Sequence, residues 1–135
     1  MSTKPGIFLS CMLFLLSPLL VAQTQQTPQS LIGSFEGSLI FGRDDLTIAL
    51  TFDRQGEQYS AALTSANLGV YGFPAEVVQI NGLRVLVRMP RLDAEFTGTL
   101  RLDDSGEEIL NIDGDWFQSS ELVPVVLYPV DKPSF

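Results

Sequence analysis

From Ser34 onward, apolar and polar residues alternate with a period of two, and no window repeats at the helical period. Phe35, Gly37, Leu39 and Phe41 share one face of a first predicted strand. Gly42 to Asp45 turns the chain. Leu46, Ile48, Leu50 and Phe52 then alternate with Thr47, Ala49 and Thr51 in a second strand, and Asp53 to Glu57 turns into a third, where Tyr59, Ala61 and Leu63 face one way. Ser65 to Gly72 reads as the longest irregular connection, closed by Phe73-Pro74. Pro74 to Ile80 is the fourth strand and Leu83 to Met89 the fifth. Asn81-Gly82 between them is a strong hairpin signal, since the turn it favours needs positive φ at both positions.

Glu95 to Trp116 is the most informative stretch. Two alternating runs flank an acidic, glycine-bearing turn, the pattern of a β-hairpin. Phe96, Gly98, Leu100 and Leu102 share a face in the first run; Leu110, Ile112, Gly114 and Trp116 share one in the second. Each run sets a glycine two residues from an aromatic. A glycine there removes a side chain where a sheet bends or a ring needs room. Glu121 to Tyr128 is the eighth strand, with Pro124 suiting an edge or bulge. Phe35 to Leu39 and Phe96 to Leu100 both read F-x-G-[ST]-L, which fits either two related halves or two similar bends.

Eight short strands with regular turns predict an all-β fold, an eight-stranded antiparallel meander closed into a small barrel, with a β-sandwich as the alternative. The barrel domain spans residues 33–130, with residues 131–135 as a tail. Gln23 to Ser30 is a Gln/Thr/Pro tract, so residues 23–32 read as a disordered N-terminal linker. Met1 to Ala22 has a basic start, an apolar run and a small residue at its boundary, the features of a signal peptide. The run is short for a membrane span and is interrupted by Ser17-Pro18. The expected location is therefore secreted or periplasmic, with no membrane insertion of the mature chain.

The sole cysteine, Cys11, falls in that leader, leaving no disulfide to staple the domain. Removing the leader takes away Lys4 and no acid, so acidic residues outnumber basic ones sixteen to seven. Such a surface repels phosphate backbones, which argues against a nucleic-acid partner.

Four segments together resemble a small lipocalin-like β-domain found N-terminal to secreted bacterial serine hydrolases and α/β-hydrolases. They are Leu63 to Val77 (LTSANLGVYGFPAEV), Phe96 to Leu100 (FTGTL), Asp113 to Gln118 (DGDWFQ) and Val123 to Leu127 (VPVVL). The family pattern runs roughly S-x-x-x-G-x-x-G-x-P, F-x-G-x-L, G-x-W-x-Q and P-L-x-L. This chain departs from it at Asn67-Leu68 and in added length around Arg101 to Glu108. The resemblance implies the accessory module without the catalytic one, so it carries over no catalytic residue.

The chain has no histidine, which excludes Ser-His-Asp and Cys-His machinery and any His-bearing zinc site. Asn111, Asp113 and Asp115 alternate beside a turn holding Asp103, Asp104, Glu107 and Glu108, but the ordered ligand positions of a calcium loop are missing. A solvated strand face accounts for them, and no metal or cofactor is expected. The expectation is a non-enzymatic module that binds a small apolar ligand or a partner protein. The alternative is a stand-alone accessory domain that stabilises or presents a separate secreted hydrolase. The candidate binding residues are Asn67, Leu68, Val70, Tyr71 and Phe73 on the glycine-flexed connection, with Trp116 among the inward aromatics. A barrel of this size either fills its interior or holds one small ligand, and the pattern leaves both open.

Overall fold

The computed structural model describes residues 26–135, together with the isolated positions Ser2, Thr3, Gly6 and Pro18. The expected signal peptide otherwise lies outside the described residues. The chain forms β1 (Gly33–Phe41), β2 (Asp44–Gln55), β3 (Gln58–Ser65), β4 (Val70–Pro74), β5 (Val77–Asn81), β6 (Arg84–Met89), β7 (Ala94–Leu102), β8 (Ile109–Gln118) and β9 (Glu121–Val130), with a 3-10 turn at Pro90–Leu92. All nine belong to one curled antiparallel sheet in the order β4-β3-β2-β1-β9-β8-β7-β6-β5. Every neighbour is a hairpin partner except β1 and β9, where the first and last strands pair through Ser34–Glu36 and Tyr128–Val130. The sheet's two edges, β4 and β5, are consecutive in the chain. The all-β, antiparallel reading holds.

Nine strands stand where the sequence pattern predicts eight. The added one is β4, inside the stretch expected to be irregular. Gly69 and Gly72 both have positive φ, and the Gly72 N–H donates to the Thr64 side chain at 3.0 Å in place of a backbone carbonyl. The register against β3 shifts between Leu63 and Ser65. A short strand broken by two left-handed glycines has no clean period of two to read. The β5–β6 turn also differs in detail. Asn81 pairs with Arg84 inside the ladder, so Gly82, at φ 59°, is the first of the two turn residues and needs no positive φ at Asn81.

The sheet is a curled half-barrel, not the closed barrel expected, since β4 and β5 stand at its two ends without pairing. Its inner apolar face carries the core. Phe35, Leu39, Ile48, Leu50, Phe52, Leu63, Val87, Met89, Phe96, Leu100, Ile112, Trp116 and Leu127 are all buried. Phe35 and Phe52 meet edge to face, with centroids 5.9 Å apart at 75°. The glycines on this face make room for the rings. A Cβ on Gly98 would sit 2.8 Å from Phe96 Cζ and 2.9 Å from Ile112 Cγ2. Gly98 lies directly opposite Gly114, so two adjacent strands approach here without side chains between them.

The segment before β1 also differs from expectation. Thr27 Oγ1 donates to the Gly82 carbonyl at 2.7 Å, and Ser30 Oγ donates to the Glu107 carbonyl at 3.0 Å. Leu31, the next residue, is fully buried in the core. Residues 27–31 therefore dock across one end of the curl instead of trailing as a disordered linker. At the other terminus, Ser134 donates through its backbone N–H and its hydroxyl to the two Glu36 carboxylate oxygens, at 2.9 and 2.6 Å.

Candidate functional site

The residues singled out from the sequence divide into anchors and surface. Ser65 is fully buried and its Oγ donates to the Thr47 carbonyl at 2.7 Å, while the Thr47 N–H donates to Asn67 Oδ1 at 3.0 Å. The two side chains thus satisfy both backbone groups of one β2 residue and pin the β3–β4 connection to β2. Asn67 is accounted for by that bond. Leu68, Val70 and Phe73 are partly buried and pack against the core from outside.

Tyr71 is different. It is 69% exposed, the highest value among the large apolar residues described, and sits between Val70 and Gly72 on an edge strand. Its neighbour Phe73 carries the Arg91 guanidinium over its ring, 4.9 Å from the centroid, and Arg91 Nε also pairs with Glu76 Oε1 at 3.2 Å. Phe73, Arg91 and Glu76 thus form a contact chain from β4 to the start of β5.

Trp116 does not join these contacts. It is fully buried. Its Nε1–H donates to Gln118 Oε1 at 3.1 Å, and Gln118 Nε2 donates to the Leu92 carbonyl at 3.2 Å. A buried indole N–H needs such a partner. The relay ties the end of β8 to the 3-10 turn, so the ring works as a core anchor.

Beyond Glu76 the wall of the curl opens. β4 pairs with β3 only as far as Pro74, and the last bond on this line runs from the Ala75 N–H to the Ala61 carbonyl at 2.8 Å. Next, the Glu76 N–H donates to the Arg88 carbonyl at 3.0 Å, and the chain has crossed over to β6. Below that switch β3 and β5 diverge, leaving a cleft of about 670 Å³ lined by Glu57, Gln58, Tyr59 and residues 76–81. Tyr59, Val78 and Ile80 are partly buried on its floor, against the core. Sequence reasoning passes over this cleft. Its only sequence signal is the uncharged run V-V-Q-I-N, read there as an ordinary strand.

The acidic residues mostly serve their own turns and strands. Asp103 Oδ1 accepts from Ser105 Oγ at 2.7 Å and from the backbone N–H groups of Glu107 and Glu108 at 3.2 and 3.3 Å. The Ser105 hydroxyl holds the Asp103 carboxyl below the ordinary aspartate range; desolvation opposes it, and the Glu108, Glu107 and Gly106 amides add to the lowering. Arg88 pairs with Glu95 at 2.7 Å and Arg101 with Asp113 at 3.5 Å across the outer face. Among the described residues no three His, Cys, Asp or Glu side chains converge closely enough to hold a metal ion.

No protein-family model, curated protein or solved structure matches this chain.

Proposed function

We propose that this chain is an exported, non-enzymatic β-module that works by holding a partner protein on its outer surface. The observation that supports this most is the filled interior. Trp116, Phe96, Phe52 and Leu50 occupy the volume in which a small apolar ligand would sit, and all four are 0 or 1% exposed. A ligand there would have to displace packed side chains, at about 1.5–3 kcal/mol for each one driven out. Several large side chains are exposed instead, Ile40, Leu122 and Tyr128 among them, and Tyr71 is the one on the glycine-flexed edge that the sequence pattern singles out. Aromatic residues with a polar tip are favoured at interfaces because they bury much area at small entropic cost. The motif resemblance suggests what the partner is: a secreted serine hydrolase or α/β-hydrolase, for which this module would act in trans as a stabiliser or presenter.

The test is direct binding, by calorimetry, of the mature protein to a hydrolase secreted by the same source. Wild type binds and Tyr71→Asp, with an unchanged melting temperature, loses at least about tenfold in affinity. Equal binding by both proteins removes the Tyr71 surface. Ester hydrolysis by the purified module overturns the non-enzymatic reading.

A further inference from the structure

The cleft between β3 and β5 is a break in a hydrogen-bonded wall, and its geometry fixes which backbone groups it leaves open. Gln55–Gln58 and Asn81–Arg84 each flank a two-residue turn. In such hairpins the flanking pair exchanges both its bonds, and alternate residues do likewise along the ladder. Gln58 and Ser60 therefore point their N–H and C=O at β2, and Val77, Gln79 and Asn81 point theirs at β6. Tyr59 on one wall, and Val78 and Ile80 on the other, aim their N–H and C=O into the cleft. No strand among the described residues pairs with them there. The Ala75 N–H bond to the Ala61 carbonyl, two residues beyond Tyr59 in the same alternation, marks the apex where pairing stops.

Exposed strand edges are usually blunted with charge, proline or a bulge. β5 has none of these within Val77–Asn81; its irregularity lies earlier, where Glu76 and Val77 share Arg88. We infer that this cleft receives an extended segment of a partner protein, which adds as a strand along β5 and continues the wall towards β3. Unpaired backbone on the walls calls for another backbone, which a small apolar ligand does not supply. Inward side chains of the segment would rest on Tyr59, Val78 and Ile80, so they are apolar. Alternate ones face Glu57, and Glu76 whose carboxylate already has exposed Arg91 at 3.2 Å, on a chain of net charge -8, so Glu57 above all makes them cationic. Arg54 does not oppose this, because its side chain is turned back onto the Gly56 carbonyl, 2.6 Å away, and the Tyr59 ring. The inference rests on the partner-binding reading and gives it a mode of contact.

The experiment uses the mature protein and a capped peptide of alternating lysine and valine, followed by amide hydrogen exchange in NMR. Exchange at Val78 and Ile80 is expected to slow roughly tenfold or more on saturation, while Gln79, already bonded to β6, changes little. The same peptide N-methylated at alternate amides is expected to give no protection, and one alternating glutamate and valine is expected to bind more weakly. Equal binding by the N-methylated peptide, or no protection at Val78 and Ile80, overturns strand addition. Protection of these amides without peptide also overturns it, and sedimentation then shows whether a second copy (a dimer) or the chain's own residues (a monomer) fill the cleft. The peptide isolates the cleft from Tyr71, so a silent cleft leaves the hydrolase-binding test standing on its own.

Discussion

The ring of Phe96 lies across the place where Gly98 lacks a side chain, 2.8 Å from where a Cβ would stand. The curl of the sheet is built on this contact and on the facing Gly114. At Gly98 the obstructing atoms belong to the Phe96 and Ile112 side chains, which have some freedom to shift. At Gly114 they are backbone: a Cβ would run into the Thr97 carbonyl and lie 2.7 Å from the Gly98 Cα. Gly114→Ala is therefore expected to destabilise more than Gly98→Ala, each within or somewhat above the 1–3 kcal/mol typical of overpacking, roughly. Urea denaturation followed by Trp116 fluorescence measures both. A reversed order would mean that β7 and β8 do not approach so closely.

The bracket around Thr47 predicts a stability effect at a residue first read as a binding candidate. Ser65→Ala leaves a part-buried carbonyl without its donor and is expected to cost about 1–3 kcal/mol. Asn67→Ala frees a more exposed amide and is expected to cost about 1 kcal/mol or less. The same denaturation curves check this, and the two losses should not add fully, because both act on one residue's backbone.

Docking of the segment before β1 predicts that it contributes to the fold. Leu31→Ala is expected to cost about 2–5 kcal/mol, as for other fully enclosed leucines. Thr27→Val, which removes only the bond to the Gly82 carbonyl, should cost about 1 kcal/mol. If Leu31→Ala leaves the melting temperature unchanged, the segment does not dock.

These cases show where reading the sequence succeeds and where it stops. The long strands are legible because Leu46 to Phe52 and Phe96 to Leu102 alternate without interruption, and burial on one face requires that. β4 is not, because Gly69 and Gly72 break the alternation. Leu31 and Ile32 follow a polar tract, and only the fold shows that Leu31 is enclosed and Ile32 exposed. Trp116 is legible as facing an apolar side, but whether neighbours enclose it or a ligand reaches it depends on side chains brought to it from elsewhere in the chain, Phe96 and Val123 opposite it among them. The cleft depends on where one strand changes partners, a long-range property that no local pattern of Val77 to Asn81 carries.

Asp103 gives the chain a pH-sensitive loop. Its folded pKa is lowered, so the bonds it accepts are fully present above the ordinary aspartate range and are lost as the pH falls through the lowered value. The Glu107 and Glu108 amide resonances should therefore move with a midpoint below that of a free aspartate. Asp103→Asn should abolish the movement. A midpoint at or above the ordinary value would contradict the bonding described.

The central claim is that the module's interior is occupied by its own side chains and its work is done outside. The most direct measurement is the Trp116 indole N–H resonance while the mature protein is titrated with a medium-chain fatty acid. The indole is fully buried and its N–H is held by half-buried Gln118, so the account predicts no saturable change in the position of that resonance. A saturable shift, abolished by enlarging a core residue (Val87→Phe) in a variant that still folds, would show that a ligand enters the interior and would contradict the account.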